Sequence, residues 1–221
     1  MSGFLDRSLN TAFKCGLYNL IVLTVRNSCE LMLKDCTADG RVLSNHEEKI
    51  RNHLLENYLN NDQVCPQTGT ENISLRFLAE VPEHYDLSSD TYSGRIDIKV
   101  VSVNWFANSS DYYTIECKRI DGTKSLSKKY VVEGVCRFLG NPPLYPSYHN
   151  KNLMLAFLVN NVDRAKIFTD ISSVHRDELN SKIIKDITII ETSSTYFFCE
   201  SKYTSGLLLG HLFYDFSTIV A

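Results

Sequence analysis

Three charged residues stand inside apolar segments of the chain. Asp97 lies in GRIDIKVV, and Glu116 and Lys118 lie in YYTIECKRID. Side chains alternate across a strand, so Glu116 and Lys118 project from one face of their segment if it is extended. Asp97 likewise shares a face with Arg95 and Lys99. The spacing therefore predicts a charged face on each strand, within segments that are otherwise suited to a protein interior.

A hairpin joins the two segments in the predicted fold. The loop at 104–111, which contains the turn-like sequence ANSSD, separates them. Pairing through this loop brings Asp97 and Glu116 onto the same side of the sheet, within a few residues of each other. The opposite face of the upstream strand is predicted to face the core, and it carries Ile96, Ile98 and Val100.

Two neighbouring carboxylates favour a bound cation. Because like charges repel, one carboxylate takes up a proton unless a cation compensates for the other. Hard oxygen ligands suit Mg²⁺ or Mn²⁺, which use few carboxylates and complete their coordination shell with water and substrate phosphate. The ammonium group of Lys118 could orient an attacking water and offset charge on a pentavalent phosphate. These residue types predict a site that hydrolyses phosphodiester bonds.

The charged residues form a short motif, in which IDI is followed nineteen residues later by IECK, counted from Asp97 to Glu116. The motif resembles the D-x(n)-E-x-K signature of the PD-(D/E)xK superfamily, the restriction-endonuclease-like nucleases, which include Holliday-junction resolvases. The resemblance implies that Asp97 and Glu116 ligate a metal, and that Lys118 serves the water and the scissile phosphate. It covers residues 44 to about 160 and departs at Ile96, where the family name has proline.

The superfamily often adds a glutamate from the first core helix, and two residues of this chain match it. Glu47 and Glu48 both lie near the start of the predicted helix SNHEEKIRNHLLENYLNN. We favour Glu47 as a further metal ligand and catalytic residue, because it precedes Ile50 by three residues on the inward side of the apolar stripe. Glu47 also has capping-box spacing to Ser44, which would explain it without catalysis. Glu48 is interpreted as exposed.

A local excess of positive charge follows the motif. Residues 116–137 contain six basic and three acidic side chains, a net +3 in a chain of net −3. Such a patch beside a metal site is suited to a phosphate backbone. The predicted nucleic-acid-binding residues are Arg95, Arg119, Lys124, Lys128, Lys129 and Arg137.

The segment SKKYVVEGVCRFL, at 127–139, is predicted to be a helix on which Tyr130, Glu133 and Arg137 share one face. The family resemblance implies that this helix lies near the active site, so that Arg137 could contact phosphate. A surface network among the three side chains is the simpler interpretation.

The order of predicted elements indicates an α/β or α+β fold around a mixed sheet. The predicted helices cover 4–35, 44–61, 127–139 and 172–184. The predicted strands cover 73–81, 95–103, 112–120, 153–161, 186–203 and 207–220. With the family resemblance, we expect a restriction-endonuclease-like mixed central sheet flanked by helices in a domain at 41–221, preceded by a helical extension at 1–40.

Composition disfavours several classes of protein. The chain has 221 residues, 43% of them hydrophobic, which suits one domain with one good core. The net charge of −3 argues against a general basic coat, so a polyanion site must be a local patch. The seven cysteines contain no C-x-x-C pair, which disfavours structural zinc. The apolar stretch at 17–25 is too short to span a bilayer, and we expect a soluble, cytoplasmic protein.

These patterns predict a Mg²⁺- or Mn²⁺-dependent phosphodiesterase, a nuclease with DNA as the favoured substrate and endonucleolytic cleavage as the expected mode. The resemblance adds bacterial defence or mobile-element biology as a context, with a homodimer or a protein partner in a defence system. Three alternatives stay open. They are a solvated strand face with a cross-strand salt bridge, a catalytically inactive nucleic-acid- or protein-binding module of the same fold, and a structural domain that associates through its first helix.

Overall fold

The structure, a computed structural model, describes residues 7–64, 75–102, 110–145, 147 and 149–221. It describes side chains from residue 16 onward, except those of His84 and Ser93. Within these ranges the fold is mixed α/β. The four α-helices are α1 (Arg7–Ala38), α2 (Glu47–Leu54), α3 (Lys124–Val132) and α4 (Arg164–Leu179).

Seven strands in the described part of the chain form one mixed sheet. They are β1 (Leu75–Asp86), β2 (Thr91–Ser102), β3 (Tyr112–Ile120), β4 (Lys151–Leu158), β5 (Ile183–Thr192), β6 (Tyr196–Tyr203) and β7 (Leu208–Asp215). Their spatial order is β1-β2-β3-β4-β7-β6-β5. The pairs β3–β4 and β4–β7 are parallel, and the other neighbouring pairs are antiparallel. The mixed central sheet predicted from the sequence is therefore confirmed.

Helices cover both faces of this sheet. The core on one face contains apolar residues of α1, α2 and the central strands, and the core on the other contains those of α3 and α4. The buried residues of α1 are Tyr18, Ile21, Val25, Cys29, Met32 and Cys36. The helix predicted as an extension thus packs in the same core as the sheet. No helix in the described ranges has the length and apolar composition needed to cross a membrane.

Some predicted elements differ from those in the structure. The predicted strand at 186–203 is two strands, β5 and β6, because a tight turn joins the Ser193 nitrogen to the Tyr196 carbonyl oxygen. The predicted helix at 44–61 begins at Glu47, and its second half is a π-helical turn, Leu55–Leu59. These differences change element boundaries and leave the order of helices and strands close to that predicted.

β2 and β3 pair antiparallel as the predicted hairpin requires, and the pairing ends early; residues 104–109 of the predicted loop lie outside the described residues. Ile98 lies opposite Ile115, and this is the last pair of the ladder on the side away from the hairpin loop. The same register continued by one residue would bring Asp97 opposite Glu116. The two strands separate at this point, which is where the predicted catalytic residues lie.

The faces of β2 do not alternate as predicted. Ile98 and Val100 belong to the core beneath α1, whereas Ile96 packs in the core beneath α3 and α4. The prediction that these three residues share a face is therefore wrong for Ile96. The alternation is interrupted around Asp97, the residue at which β2 departs from β3.

Candidate active site

A pocket of about 590 Å³ lies beside the separation of the two strands. Its walls come from α2, β1, β2, β3 and the segment after α3. The acidic side chains that line it are Glu47, Glu48, Glu80 and Asp97. The basic side chains that line it are Arg51, Arg95, Lys118 and Arg137. The charges of its lining are therefore balanced.

Asp97 joins β2 to β3 where their backbone pairing stops. Its Oδ2 atom accepts a hydrogen bond of 2.8 Å from the backbone nitrogen of Cys117. In a continued antiparallel ladder, a backbone oxygen of β2 would accept this hydrogen bond. The carboxylate thus replaces a backbone acceptor, and its Oδ1 atom is left to interact with α2.

Glu116 is fully buried beside this gap. Its Oε1 atom accepts hydrogen bonds from Lys118 Nζ at 2.5 Å and from Arg137 Nη1 at 2.9 Å. Its Oε2 atom is buried without a hydrogen-bond partner. Burial, and then the charge of Asp97, raise the pKa of Glu116 to about 8, against the opposing effect of Lys118 and Arg137. The two cations at Oε1 therefore compensate only in part for burial and for the charge of Asp97.

Lys118 lies at the centre of the acidic residues. Its Nζ atom donates to Glu116 Oε1 and to the carbonyl oxygen of Cys117, and it lies 3.5 Å from Glu47 Oε1. Burial acts to lower the pKa of Lys118, but the carboxylates of Glu116, Glu47 and Asp97 outweigh burial and raise it. The ammonium group is thus held in its charged form.

Glu47 contacts β3 and does not cap its own helix. The N-cap residue of α2 is His46, and no side chain caps the helix, so the capping box predicted for Ser44 and Glu47 is wrong. Glu47 Oε2 accepts a hydrogen bond of 2.7 Å from the backbone nitrogen of Arg119, and Oε1 faces Lys118. The neighbouring Glu48 is exposed and lines the pocket.

Arg51 is a buried residue of the site that the sequence interpretation missed. Only 4% of its surface is exposed. Its Nη1 atom donates to Asp97 Oδ1 at 2.9 Å, and its Nη2 atom donates to Glu80 Oε1 at 2.6 Å. The signal that could have revealed it is its spacing of four residues from Glu47, which puts both side chains on one face of α2.

Arg137 provides a second guanidinium group. It lines the pocket, as its predicted phosphate contact requires, and its Nη1 atom donates to both Glu116 and Tyr145 Oη. The Tyr145 hydroxyl donates in turn to the backbone oxygen of Arg95. This series of hydrogen bonds connects the segment after α3 to β2 across the pocket.

The predicted shared face of Tyr130, Glu133 and Arg137 is wrong, because α3 ends at Val132. Tyr130 is fully buried and hydrogen-bonds His211 Nδ1 at 2.8 Å, whereas Glu133 is exposed. Arg137 lies in a separate 3₁₀-helix that follows Gly134. Only Arg137 of the three reaches the pocket.

The other predicted nucleic-acid-binding residues fall into two groups. Arg95 lines the pocket and donates to Glu80 Oε2 at 3.2 Å. Arg119 donates to Asn45 and lies outside the lining of the pocket. Three exposed lysines of α3 also lie outside that lining, and they are Lys124, Lys128 and Lys129. The basic segment therefore contributes only Lys118 and Arg137 to the pocket.

The carboxylates suit a hard divalent cation in their chemistry. Among residues 7–64 and the later described ranges, no group of three His, Cys, Asp or Glu side chains is arranged to hold a metal ion. Mg²⁺ needs only one or two carboxylates together with water and phosphate. The buried Oε2 atom of Glu116, which lacks a hydrogen-bond partner, is the observation that fits a cation beside this residue. Asp97 is the other candidate ligand, and both of its oxygens already accept hydrogen bonds, from Arg51 and from the backbone nitrogen of Cys117.

Comparisons with known proteins identify no relative. No protein-family model matches the chain, and no curated protein or solved structure matches it. The resemblance to the PD-(D/E)xK superfamily accordingly depends on the residues of the motif and on their environment in this structure.

Proposed function

We propose that the protein is a Mg²⁺- or Mn²⁺-dependent nuclease with a restriction-endonuclease-like fold, and that DNA is its favoured substrate. One observation carries this proposal. Asp97 and Glu116 flank the separation of β2 from β3, and Lys118 bonds Glu116 within the same cluster. Two acids and a lysine thus lie close together beside an open pocket, and these residue types are suited to metal-dependent hydrolysis of a phosphodiester.

Each residue of the cluster would have a distinct role. Asp97 and Glu116 would hold the metal, with Glu47 as a neighbouring acid. A divalent ion bound there would lower the pKa of a coordinated water and offset charge on the phosphate. The Lys118 ammonium group would orient that water and stabilise the negative charge that develops in the transition state.

The balance of charge favours binding of metal and nucleic acid together. Four acidic and four basic side chains line the pocket, and the buried Glu116 adds a further acid beneath it. A pocket with this balance attracts a phosphate weakly. One divalent cation would change the local charge in favour of an anion, so we expect nucleic-acid binding at this site to depend on metal.

The direct test is a cleavage assay with and without Mg²⁺ or Mn²⁺. Plasmid, linear and single-stranded DNA and RNA would be incubated with the parent protein and with Asp97→Asn, Lys118→Ala and Lys202→Ala. The parent and Lys202→Ala, which changes an exposed lysine of β6 outside the pocket, should cut. The two site variants should lose activity by about 100-fold or more. Absence of cleavage by the parent with either metal would contradict the proposal.

A second candidate is a catalytically inactive nucleic-acid- or protein-binding module of the same fold. The observation that favours it is that protein cations already pair with the carboxylates, Arg51 with Asp97, and Lys118 and Arg137 with Glu116. Nucleic-acid binding that needs no metal and survives both site substitutions would support this candidate over the enzyme.

The remaining expectations belong to the same proposal. They are a cytoplasmic location, endonucleolytic cleavage, a role in bacterial defence or mobile-element biology, and action as a homodimer or with a protein partner. These expectations depend on the family resemblance and on the apolar pattern of the sequence.

A further inference from the structure

One part of the pocket lining is apolar and accessible. Tyr92 of β2 lines the pocket and is 57% exposed, and Pro82 of β1 is exposed beside it in the same lining. Leu144 completes this part of the lining and packs over Gly94, where an added Cβ atom would lie 3.1 Å from Leu144 Cδ1. Exposed aromatic surface beside charged groups is the usual composition of a ligand site.

The ring of Tyr92 is supported from outside the pocket. Tyr85 lies opposite Tyr92 in the β1–β2 pairing, and the two ring centroids are 5.0 Å apart at an interplanar angle of 55°. The Tyr85 hydroxyl donates to Asp90 Oδ1 at 2.7 Å, which anchors this ring at the hairpin turn. Tyr85 therefore packs against one side of Tyr92, and Tyr92 remains in the pocket lining.

Tyr92 lies well away from the carboxylates. It precedes Asp97 by five residues of β2, and a strand rises about 3.3 Å per residue, which gives a separation of ~17 Å along the strand. Stacked nucleotides are about 3.4 Å apart along a strand. A base that contacts Tyr92 therefore belongs to a nucleotide several positions from a phosphate held at Asp97 and Glu116.

We propose that Tyr92 stacks on an unpaired base of the substrate, and that the nuclease acts on single-stranded nucleic acid or on duplexes with an unpaired end. This inference rests on the proposed function. A tyrosine ring can stack only on a base whose face is open, and bases inside a duplex have both faces covered by their neighbours. Arg95, which is on the same strand between Tyr92 and Asp97, could contact the intervening backbone.

The test measures binding by fluorescence anisotropy in Mg²⁺, with all variants made in a Lys118→Ala background that retains both carboxylates. The background protein should bind a labelled single strand more tightly than a blunt duplex of the same sequence, and equal affinity for the two would overturn the preference for unpaired bases. Tyr92→Ala should weaken single-strand binding about tenfold, the loss expected when one base loses its aromatic stacking partner, and Tyr92→Phe should restore it. Leu87→Ala, at an 86% exposed residue outside the pocket lining, is the matched control and should bind as the background does.

An abasic scan of the single strand identifies the stacked nucleotide. Removing the base that stacks on Tyr92 should abolish the difference in affinity between the background protein and Tyr92→Ala. Only abasic sites in one region of the strand should have this effect. Single-strand binding that is equally tight for Tyr92→Ala and Leu87→Ala would overturn the assignment of Tyr92 and leave the nuclease proposal standing. If neither the Lys118→Ala protein nor the parent binds either DNA form, the assignment of Tyr92 and the nuclease proposal are both overturned.

Discussion

The chemistry of the site depends on how a fully buried acid is kept in place. Glu116 has two cations bonded to its Oε1 atom, and its Oε2 atom has no partner. A buried carboxyl group without full compensation is costly to ionise, because the charged form loses its hydration. A divalent metal would supply that compensation, so under the proposed function this cost would favour cation binding.

The pH dependence of stability should reveal this cost. The pKa of Glu116 rises from 4.5 to about 8 on folding, so between these values the folded protein holds a proton that the unfolded chain releases. Stability from this group is present below pH 4.5 and is lost as pH rises to about 8. Urea unfolding in EDTA would measure the free energy of unfolding at pH 5 and at pH 8. From pH 5 to pH 8 this free energy should fall by at least about 1 kcal/mol more for the parent than for Glu116→Gln. Equal losses would contradict the raised pKa.

Arg51 should compete with the metal for Asp97. Its guanidinium occupies Asp97 Oδ1, so Arg51→Gln should strengthen Mn²⁺ binding about tenfold in calorimetric titrations, since a nearby positive charge is removed. Arg95→Gln is the matched control, because Arg95 pairs with Glu80 and is largely exposed. If Arg51→Gln binds Mn²⁺ more weakly than the parent, Arg51 positions Asp97 and does not compete with the metal.

The sequence allowed the acids and the lysine to be predicted as a set, but not their partners. Asp97, Glu116 and Lys118 are conspicuous because they interrupt apolar strands. Arg51 lies in a helix where charged residues are ordinary, and only the fold brings it to Asp97. The sequence allowed two explanations of Glu47, a helix cap and an acid of the site. The choice depends on the hydrogen bond that Glu47 Oε2 accepts from the backbone nitrogen of Arg119 in β3, which sequence spacing does not reveal.

The segment between α3 and β4 determines where Arg137 lies. Gly134 separates α3 from the 3₁₀-helix that carries Arg137, and its dihedral angles are φ −121° and ψ −81°. An added Cβ atom at Gly134 would lie 2.4 Å from the carbonyl oxygen of Tyr130 and 2.6 Å from Met154 Cε. The absence of a side chain is what allows the two helical segments to pack against the sheet.

Gly134→Ala should therefore destabilise the fold by about 1–3 kcal/mol, because backbone and core atoms must move to admit the new methyl group. Gly16→Ala is the control, since an added Cβ atom in α1 would meet no atom within 4 Å. Denaturant unfolding of both variants measures the difference. A Gly134→Ala protein as stable as the Gly16→Ala protein would contradict the packing described for this segment.

The strand β3 was easier to predict than the end of α3. β3 covers 112–120 as predicted, because its run of apolar and β-branched residues is bounded by Asp111 and Asp121. The predicted helix at 127–139 failed after Val132, since close contacts around Gly134 override the helical pattern. Tertiary contacts of this kind have no local signature in the sequence.

The first helix is part of the core of the molecule. Its buried residues, from Tyr18 to Cys36, pack beneath the same sheet that carries the candidate site on β2 and β3. Each fully buried large apolar side chain contributes about 1.5–3 kcal/mol. Several such side chains together rival the whole stability of a typical domain, which is about 5–15 kcal/mol.

Deletion of residues 1–40 should consequently prevent cooperative folding, even though the predicted motif lies entirely in the remaining chain. Circular dichroism during thermal unfolding would detect the loss as a broad transition with no sharp midpoint. A truncated protein that unfolds cooperatively near the midpoint of the full chain would instead mean that α1 is a separable extension.

The claim that joins these observations is that Asp97 and Glu116 share one divalent cation beside Lys118. Anomalous diffraction from crystals grown with Mn²⁺, recorded near the manganese absorption edge, tests it most directly. We expect one peak within coordination distance of carboxylate oxygens of both residues, with Arg51 moved away from Asp97. Absence of a peak there at saturating Mn²⁺, with the Arg51–Asp97 and Lys118–Glu116 pairs intact, would contradict it.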